Sequence, residues 1–187
     1  TLYGCSRLDA GVHAHQYFVN LYTRSSRSLE DIFRGLNGIL RTQLGANISV
    51  YNAKEVESDF NARFDTLGKH YRYRLWYGRG HHAAHTPASW PIRSRTFDAQ
   101  ILNGSLSSLV GLHDFAAFRA SDCTAKTTVR KIERIDVWSN SQYPEAITID
   151  VWGEGFLKNM VRNIVGTAVD AAIGKLCSSA AAQALIH

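Results

Sequence analysis

The sequence predicts an α+β fold, with helices covering one face of a largely antiparallel sheet that two split ferredoxin-like halves share. Three observations carry this reading. The candidate elements run β-β-α-β-β and then α-β-β-α. Residues 66–77, TLGKHYRYRLWY, alternate strongly, so Tyr71, Tyr73, Leu75 and Tyr77 share one strand face and His70, Arg72, Arg74 and Trp76 the other. Residues 156–174, FLKNMVRNIVGTAVDAAIG, place Leu157, Met160, Val161, Ile164, Val165, Ala168 and Ala172 at helical spacing.

Taken in order, residues 1–5 form a short strand that breaks at 6–11, where Asp-Ala-Gly is turn chemistry. Residues 12–23 read as a second strand, with Val12, Ala14, Phe18 and Tyr22 on one face. Ser28 opens a capping box in which Asp31 replaces the usual Glu. The helix behind it carries Leu29, Ile32, Phe33, Leu36, Ile39 and Leu40 along one side. A further strand is expected at 48–56, before the alternating one at 66–77. Residues 78–96 hold Gly, His, Pro and Ser without periodicity and read as a loop or insertion. Next come a helix at 98–109, a turn at 111–114, paired strands at 127–138 and 146–152, and the long helix at 156–174. The last ten residues look like the start of another helix. The division that follows is an N-terminal half at 1–80, a loop at 81–96 and a C-terminal half at 97–187. Thr1 already lies inside a strand pattern, so both halves are expected to be incomplete at their outer ends.

Composition excludes several classes. An apolar fraction of 45% with 20% charged residues is ordinary for a globular chain, and three prolines with no biased tract argue against a disordered linker. No apolar run approaches the roughly 20 residues that span a bilayer, and no signal peptide is visible, so no membrane partner and a cytoplasmic setting are expected. Cys5, Cys123 and Cys177 are odd in number and form no CxxC pair, which speaks against a disulfide framework or structural zinc. There is no P-loop, no GxGxxG opening a helix and no GxSxG, so nucleotide-driven and serine-hydrolase chemistry are poor fits. The net charge of +5 and pI near 9.2 suit a polyanionic partner without requiring one.

Residues 6–15, SRLDAGVHAH, concentrate the candidate chemistry. Asp9 reads as a turn residue, a metal ligand, a helix cap or a catalytic group. Arg7 can hold its carboxylate ionised through charge-assisted hydrogen bonds, as a nucleophile or base requires. His13 and His15 share a strand face, yet no nearby Asp, Glu or Cys completes a metal set, and the same holds for His81, His82 and His85. No metal is therefore expected. Tyr71 and Tyr73 are either core residues or, with Lys69, His70, Arg72 and Arg74, part of a stacking and phosphate-binding surface. Arg119, Lys126, Arg130, Lys131 and Arg134 add positive charge further on. Arg162 lies on the flank of the long helix's apolar stripe, from where it can reach into a cleft.

Together these segments resemble the TruA family of tRNA pseudouridine synthases along nearly the whole chain. SRLDAGVHA resembles the catalytic-loop motif GRTDAGVHA. Residues 59–75, DFNARFDTLGKHYRYRL, resemble the block F-H-A-R-F followed by R-x-Y-x-Y. LVGLHDFAAFRA (109–120) and KTTVRKIERIDV (126–137) resemble the next two blocks, and FLKNMVRNIVGTAVDAAIGK (156–175) resembles F-x-x-x-M-V-R-N-I-V-G. Five blocks in the same order make the likeness specific.

The resemblance implies a tRNA substrate isomerised in the anticodon stem-loop (positions 38–40 of the tRNA in that family), a homodimer, no cofactor, and a catalytic cleft between the two halves. It implies catalytic roles for Asp9, Tyr71 and Arg162: nucleophile or base, ring packed on the uracil, and partner of the carboxylate. Arg7 matches an arginine that helps to flip the base. His13, Arg63, Arg72, Arg119, Lys126, Arg130 and Asn163 are carried over as substrate-binding. Whether Asp9 adds to C1′, adds to C6 or takes a ribose proton stays open. Ser6 and Leu8 replace the motif's Gly and Thr, which leaves either altered substrate positioning or no change of consequence. Family members begin with a strand carrying Y-D-G-T and end with another strand, and neither lies within these 187 residues. A non-catalytic RNA-binding relative, or an inactive fragment of the same fold, is the alternative.

Overall fold

The computed structural model describes residues 2–45, 47–78 and 88–184. The chain divides into two compact units, Thr1–Thr66 and Leu67–His187. Among the described residues there are two separate sheets, one in each unit, where the sequence suggests a single shared one. The result is a mixed α/β architecture.

In the first unit, β1 (Leu2–Gly4) pairs antiparallel with β2 (Val19–Leu21), Tyr3 opposite Asn20. The expected strand at 12–23 shortens to three residues because its partner offers only three. The intervening chain is held instead by a turn and by Tyr17, whose hydroxyl donates to the Ser6 carbonyl. Helix α1 (Leu29–Leu44) starts at Ser28, whose Oγ accepts from the Asp31 N–H at 3.1 Å and donates to the Asp31 carboxylate at 2.7 Å. The shorter Asp therefore returns to the cap hydroxyl, where the Glu of a capping box reaches the cap backbone. Gly45 ends the helix in the left-handed conformation, φ 61°. Residues 48–56 are not a strand: the Asn37 side chain donates to the Val50 carbonyl at 2.7 Å and accepts from its N–H at 2.8 Å. A helix side chain thus takes the hydrogen bonds that a neighbouring strand would have made.

The second unit holds a five-stranded sheet in the order β4-β3-β7-β6-β5. Its strands are β3 (Lys69–Tyr77), β4 (Trp90–Ile92), β5 (Gly111–Asp114), β6 (Val129–Ser139) and β7 (Ala146–Gly153). All neighbours are antiparallel except β3 and β4. β4 lies in the stretch that reads as loop from sequence, and β5 where a turn is expected. Both are short edge strands whose Pro91 and Gly111 read as breakers, and an edge tolerates Pro because one side needs no donor. The candidate His81, His82 and His85 lie outside the described residues.

Helices α2 (Ala99–Ser107) and α3 (Met160–Ala172) cover one face of this sheet. Leu75, Ile147, Ile149 and Val151 meet Leu102, Leu106, Met160, Ile164, Val165 and Ala168 in one core, with Tyr71, Tyr73 and Tyr77 packed at its margin. The alternation read from sequence holds within the strand residues 69–77, a shorter span than 66–77, and Trp76 on the opposite face is buried as well. Each such apolar side chain removed from water contributes about 1.5–3 kcal/mol. The long helix begins at Met160, later than its apolar pattern, because Asn159 sits at φ 60° and breaks the helical path. A last short helix, α4 (Ala180–Gln183), follows.

Candidate active site

In the first unit the Asp9 loop is built around one turn. The Val12 N–H donates to the Asp9 carbonyl at 3.1 Å, and Gly11 in the turn has φ 78°, a conformation side chains other than glycine's rarely adopt. A Cβ on Gly11 would meet nothing within 4 Å, so backbone conformation and not space demands the glycine. Tyr17 closes the loop's mouth and lies against Gly4, where a Cβ would come 2.5 Å from its hydroxyl. Arg7, Leu8, Asp9 and His13 are all exposed on this loop.

The same unit holds Arg63 on a second tight turn. Asn20, buried in β2, donates to the Phe60 carbonyl at 3.3 Å and accepts from the Ala62 N–H at 2.9 Å. Asn61 and Asp65 tie the following residues together, the Asp65 carboxylate accepting from the Asn61 N–H at 2.6 Å. The Arg63 guanidinium stands 5.6 Å from the exposed Phe64 ring. Sequence reading did not single out Asn20; a polar residue between Val19 and Leu21 in a strand was the available signal.

In the second unit Tyr71 and the start of α3 come together through Phe156. The Tyr71 and Phe156 rings meet edge to face at 5.2 Å, and Phe156 lies four residues before Met160. Gly153 makes room: a Cβ there would come 2.7 Å from the Lys131 carbonyl and 3.0 Å from the Phe156 ring. Arg162 stands exposed in the first turn of α3, beside buried Val161. Its neighbour Asn163 donates to the Phe118 carbonyl at 2.9 Å and so anchors the 3-10 turn Ala116–Phe118 that precedes Arg119.

Positive charge gathers at this edge. The Cys123 thiol lies below its usual range through backbone hydrogen bonds with Ala125 and Lys158, with the charges of Arg119 and Arg130 adding to the effect. Lys158 pairs with Asp122 and holds its carboxyl below the ordinary value. Arg130 donates to the Thr127 and Val129 carbonyls at 2.9 and 2.6 Å, and Lys126 is exposed nearby in the chain.

Arg72 behaves differently from the rest of the set. It points to the helix-free face of the sheet, opposite Tyr71, and donates twice to Asp150, Nε at 2.7 Å and Nη2 at 2.9 Å. His70 Nε2 lies 2.7 Å from the same carboxylate, and Trp138 Nε1 donates to it at 2.9 Å. Burial pushes the Asp150 carboxyl up, but the hydrogen bonds from Arg72, Trp138 and His70, with the Arg72 charge, bring it down to about 2. Among the described residues no cluster of three or more His, Cys, Asp or Glu side chains is placed to hold a metal. No described helix is long and apolar enough to cross a membrane.

Sequence comparison gives this arrangement its class, that of the enzymes that isomerise uridine in RNA. A family profile described as tRNA pseudouridine synthase matches residues 106–187. Several relatives carry the name tRNA pseudouridine synthase A, three of which show the range of similarity. That of Geobacter sp. (strain M21) is 40% identical over 93% of this chain and 67% of its own length. That of Geotalea daltonii is 38% identical over 96% of this chain and 70% of its own length. That of Aquifex aeolicus is 36% identical, over 91% and 67% respectively. The chain belongs to the tRNA pseudouridine synthase family and spans about two thirds of the length of these relatives.

Proposed function

We propose that the protein converts uridine to pseudouridine in the anticodon stem-loop of tRNA, with Asp9 as the catalytic carboxylate. The reaction breaks the bond between N1 of uracil and C1′ of ribose, rotates the base, joins C5 to C1′, and exchanges the C5 proton for one on N1. The bonds broken and made nearly balance, so no redox carrier, metal or ATP is called for. The uridine must leave its stack, at a cost of a few kcal/mol, which favours accessible or distorted sites.

The observation that carries this reading is the Gly11 turn. It fixes the backbone beside Asp9 and leaves the carboxylate-bearing residue exposed on a loop, in the segment that resembles the family's catalytic-loop motif. In this reading Tyr71 packs on the uracil, Arg162 keeps the carboxylate ionised, and Arg7 helps flip the base. His13, Arg63, Arg119, Lys126, Arg130 and Asn163 contact RNA, and Arg72 would have to leave Asp150 to do so. The working molecule is a cytoplasmic homodimer of two-half subunits with the cleft between the halves.

The test is Asp9→Ala, read by tritium release from C5-labelled uridine in tRNA beside a binding titration over salt. Turnover is expected to fall about 10³-fold or more while RNA affinity changes less than about threefold. Asp9→Ala with wild-type turnover removes Asp9 from the chemistry. Wild-type protein that binds tRNA and releases no tritium favours the non-catalytic RNA-binding reading.

A further inference from the structure

The helix-free face of the five-stranded sheet carries a cluster that the proposed chemistry does not use. Three cross-strand rows are set by the register: His70 opposite Trp152, Arg72 opposite Asp150, and Arg74 opposite Thr148. On the other side of β7, Arg134, Asp136 and Trp138 continue the same rows. The side chains lie flat over one another. His70 stacks on Trp152 with ring centroids 4.4 Å apart and planes 8° from parallel, and the Arg134 guanidinium sits 3.9 Å from the Trp152 ring. The Arg72 guanidinium is 5.7 Å from the Trp138 ring. At the centre the Asp150 side chain, 3% exposed, receives four hydrogen bonds from three residues on two neighbouring strands.

Two of those residues, His70 and Arg72, flank Tyr71 in β3. A strand side chain's direction is set by its own backbone, and alternate residues point to opposite faces. Fixing residues 70 and 72 from behind therefore fixes the pleat from which Tyr71 projects in front. On the front face the Tyr71 ring has the edge-to-face contact with Phe156. A buried carboxylate is costly unless fully hydrogen-bonded, so a conserved-volume apolar pair would stabilise the sheet as well. What the Asp150 cluster adds is a single defined geometry for β3 at residues 70–72.

We infer that Asp150 is a positioning residue for Tyr71, acting through His70 and Arg72 as a clasp on the opposite face of the sheet. The inference rests on the reading of Tyr71 as a group that meets the uracil ring. It separates the arginine and histidine of this segment from RNA contact and gives them a mechanical task. Small displacements of a group that packs on a reacting base reduce turnover strongly, while binding by the rest of the surface is left intact.

The experiment uses Asp150→Asn, His70→Ala and His70→Gln, with Thr148→Val as a control on the same face and the same strand as Asp150. The Tyr71 ring resonances, assigned through Tyr71→Phe, are expected to move in Asp150→Asn and His70→Ala, to return toward wild type in His70→Gln, and to stay in place in Thr148→Val. Turnover is expected to fall about tenfold in Asp150→Asn with tRNA affinity within about twofold. Unmoved Tyr71 resonances in a folded Asp150→Asn protein overturn the clasp. Weakened tRNA binding at unchanged turnover also overturns it and makes the face an RNA contact. Moved resonances in Asp150→Asn, with turnover unchanged in Tyr71→Phe and Tyr71→Ala, leave the clasp standing and remove the role given to Tyr71.

Discussion

Each of the two units of this chain is stabilised internally by a different means. In residues 67–184 twenty buried apolar side chains form one core between the sheet and its helices; among the described residues of 2–66 only Asn20 and Ala62 are buried. The first unit is instead pinned by single polar side chains that reach the backbone: Tyr17 to Ser6, Asn20 to Phe60 and Ala62, Tyr22 to Ser58, and Asn37 to Val50. Its helix α1 has a strong apolar side and no buried residue. The residues proposed for chemistry therefore stand on supports of unequal stiffness. Tyr71 and Arg162 project from elements locked by a close-packed interior, whereas Asp9 depends on a turn and a few hydrogen bonds.

Opening a cavity in one unit and shaving a side chain in the other separates the two kinds of support. All four tryptophans, Trp76, Trp90, Trp138 and Trp152, lie in the second unit, so their fluorescence reports on its unfolding alone. Ile164 is fully buried in α3, and Ile164→Ala is expected to cost about 3–4 kcal/mol in a urea titration read by tryptophan fluorescence. Ile39 on α1 is 54% exposed, and Ile39→Ala is expected to leave that transition within about 0.5 kcal/mol of wild type. Equal losses at the two positions would mean that the apolar side of α1 is covered in solution.

Acid tests the second unit at its polar centre. The Asp150 carboxyl is depressed to about 2 in the folded state against 3.8 unfolded, so its contribution is present above the unfolded value and lost as pH falls through the folded one. The difference corresponds to about 2 kcal/mol, lost between about pH 4 and pH 2. Tryptophan-detected stability of wild type should fall over that window more steeply than that of Asp150→Asn. Parallel curves for the two proteins would show that other carboxylates carry the acid sensitivity.

The same contrast explains what could be read from the sequence. Burial writes periodicity: the alternation of residues 69–77 and the stripe from Leu157 to Ala172 were legible because one face of each element is packed. The short edge strands β4 and β5 were not, since three or four residues with Pro or Gly give no period to detect. Residues 48–56 read as a strand candidate, yet Val50 bonds to the Asn37 side chain and not to a strand, a substitution that no local pattern records. Of the candidate site, Asp9, Tyr71 and Arg162 could be named from motif and flank position. Phe156 stands in the block at 156–175 without a role attached, and Asn20 and Asp150 were not legible, because only the register or the loop path brings their partners near. Arg72 was legible as a charged residue beside Tyr71, but its binding by Asp150 across the sheet was not.

Gly11 gives the most local effect. With φ 78° and no atom within 4 Å of an added Cβ, Gly11→Ala carries a backbone penalty and no clash. The left-handed conformation costs a residue with a side chain about 1–2 kcal/mol, partly offset by the smaller freedom of alanine in the unfolded chain. A net loss of about 1 kcal/mol should speed exchange of the Val12 amide proton, which is bonded to the Asp9 carbonyl, about fivefold. The tryptophan transition of the second unit should not move, since nothing in its core is touched. Turnover should still fall, because the turn that presents Asp9 spends more time open. If Gly11→Ala leaves Val12 exchange unchanged and shifts the tryptophan transition, the loop is supported by the packed unit and the two supports are not unequal after all.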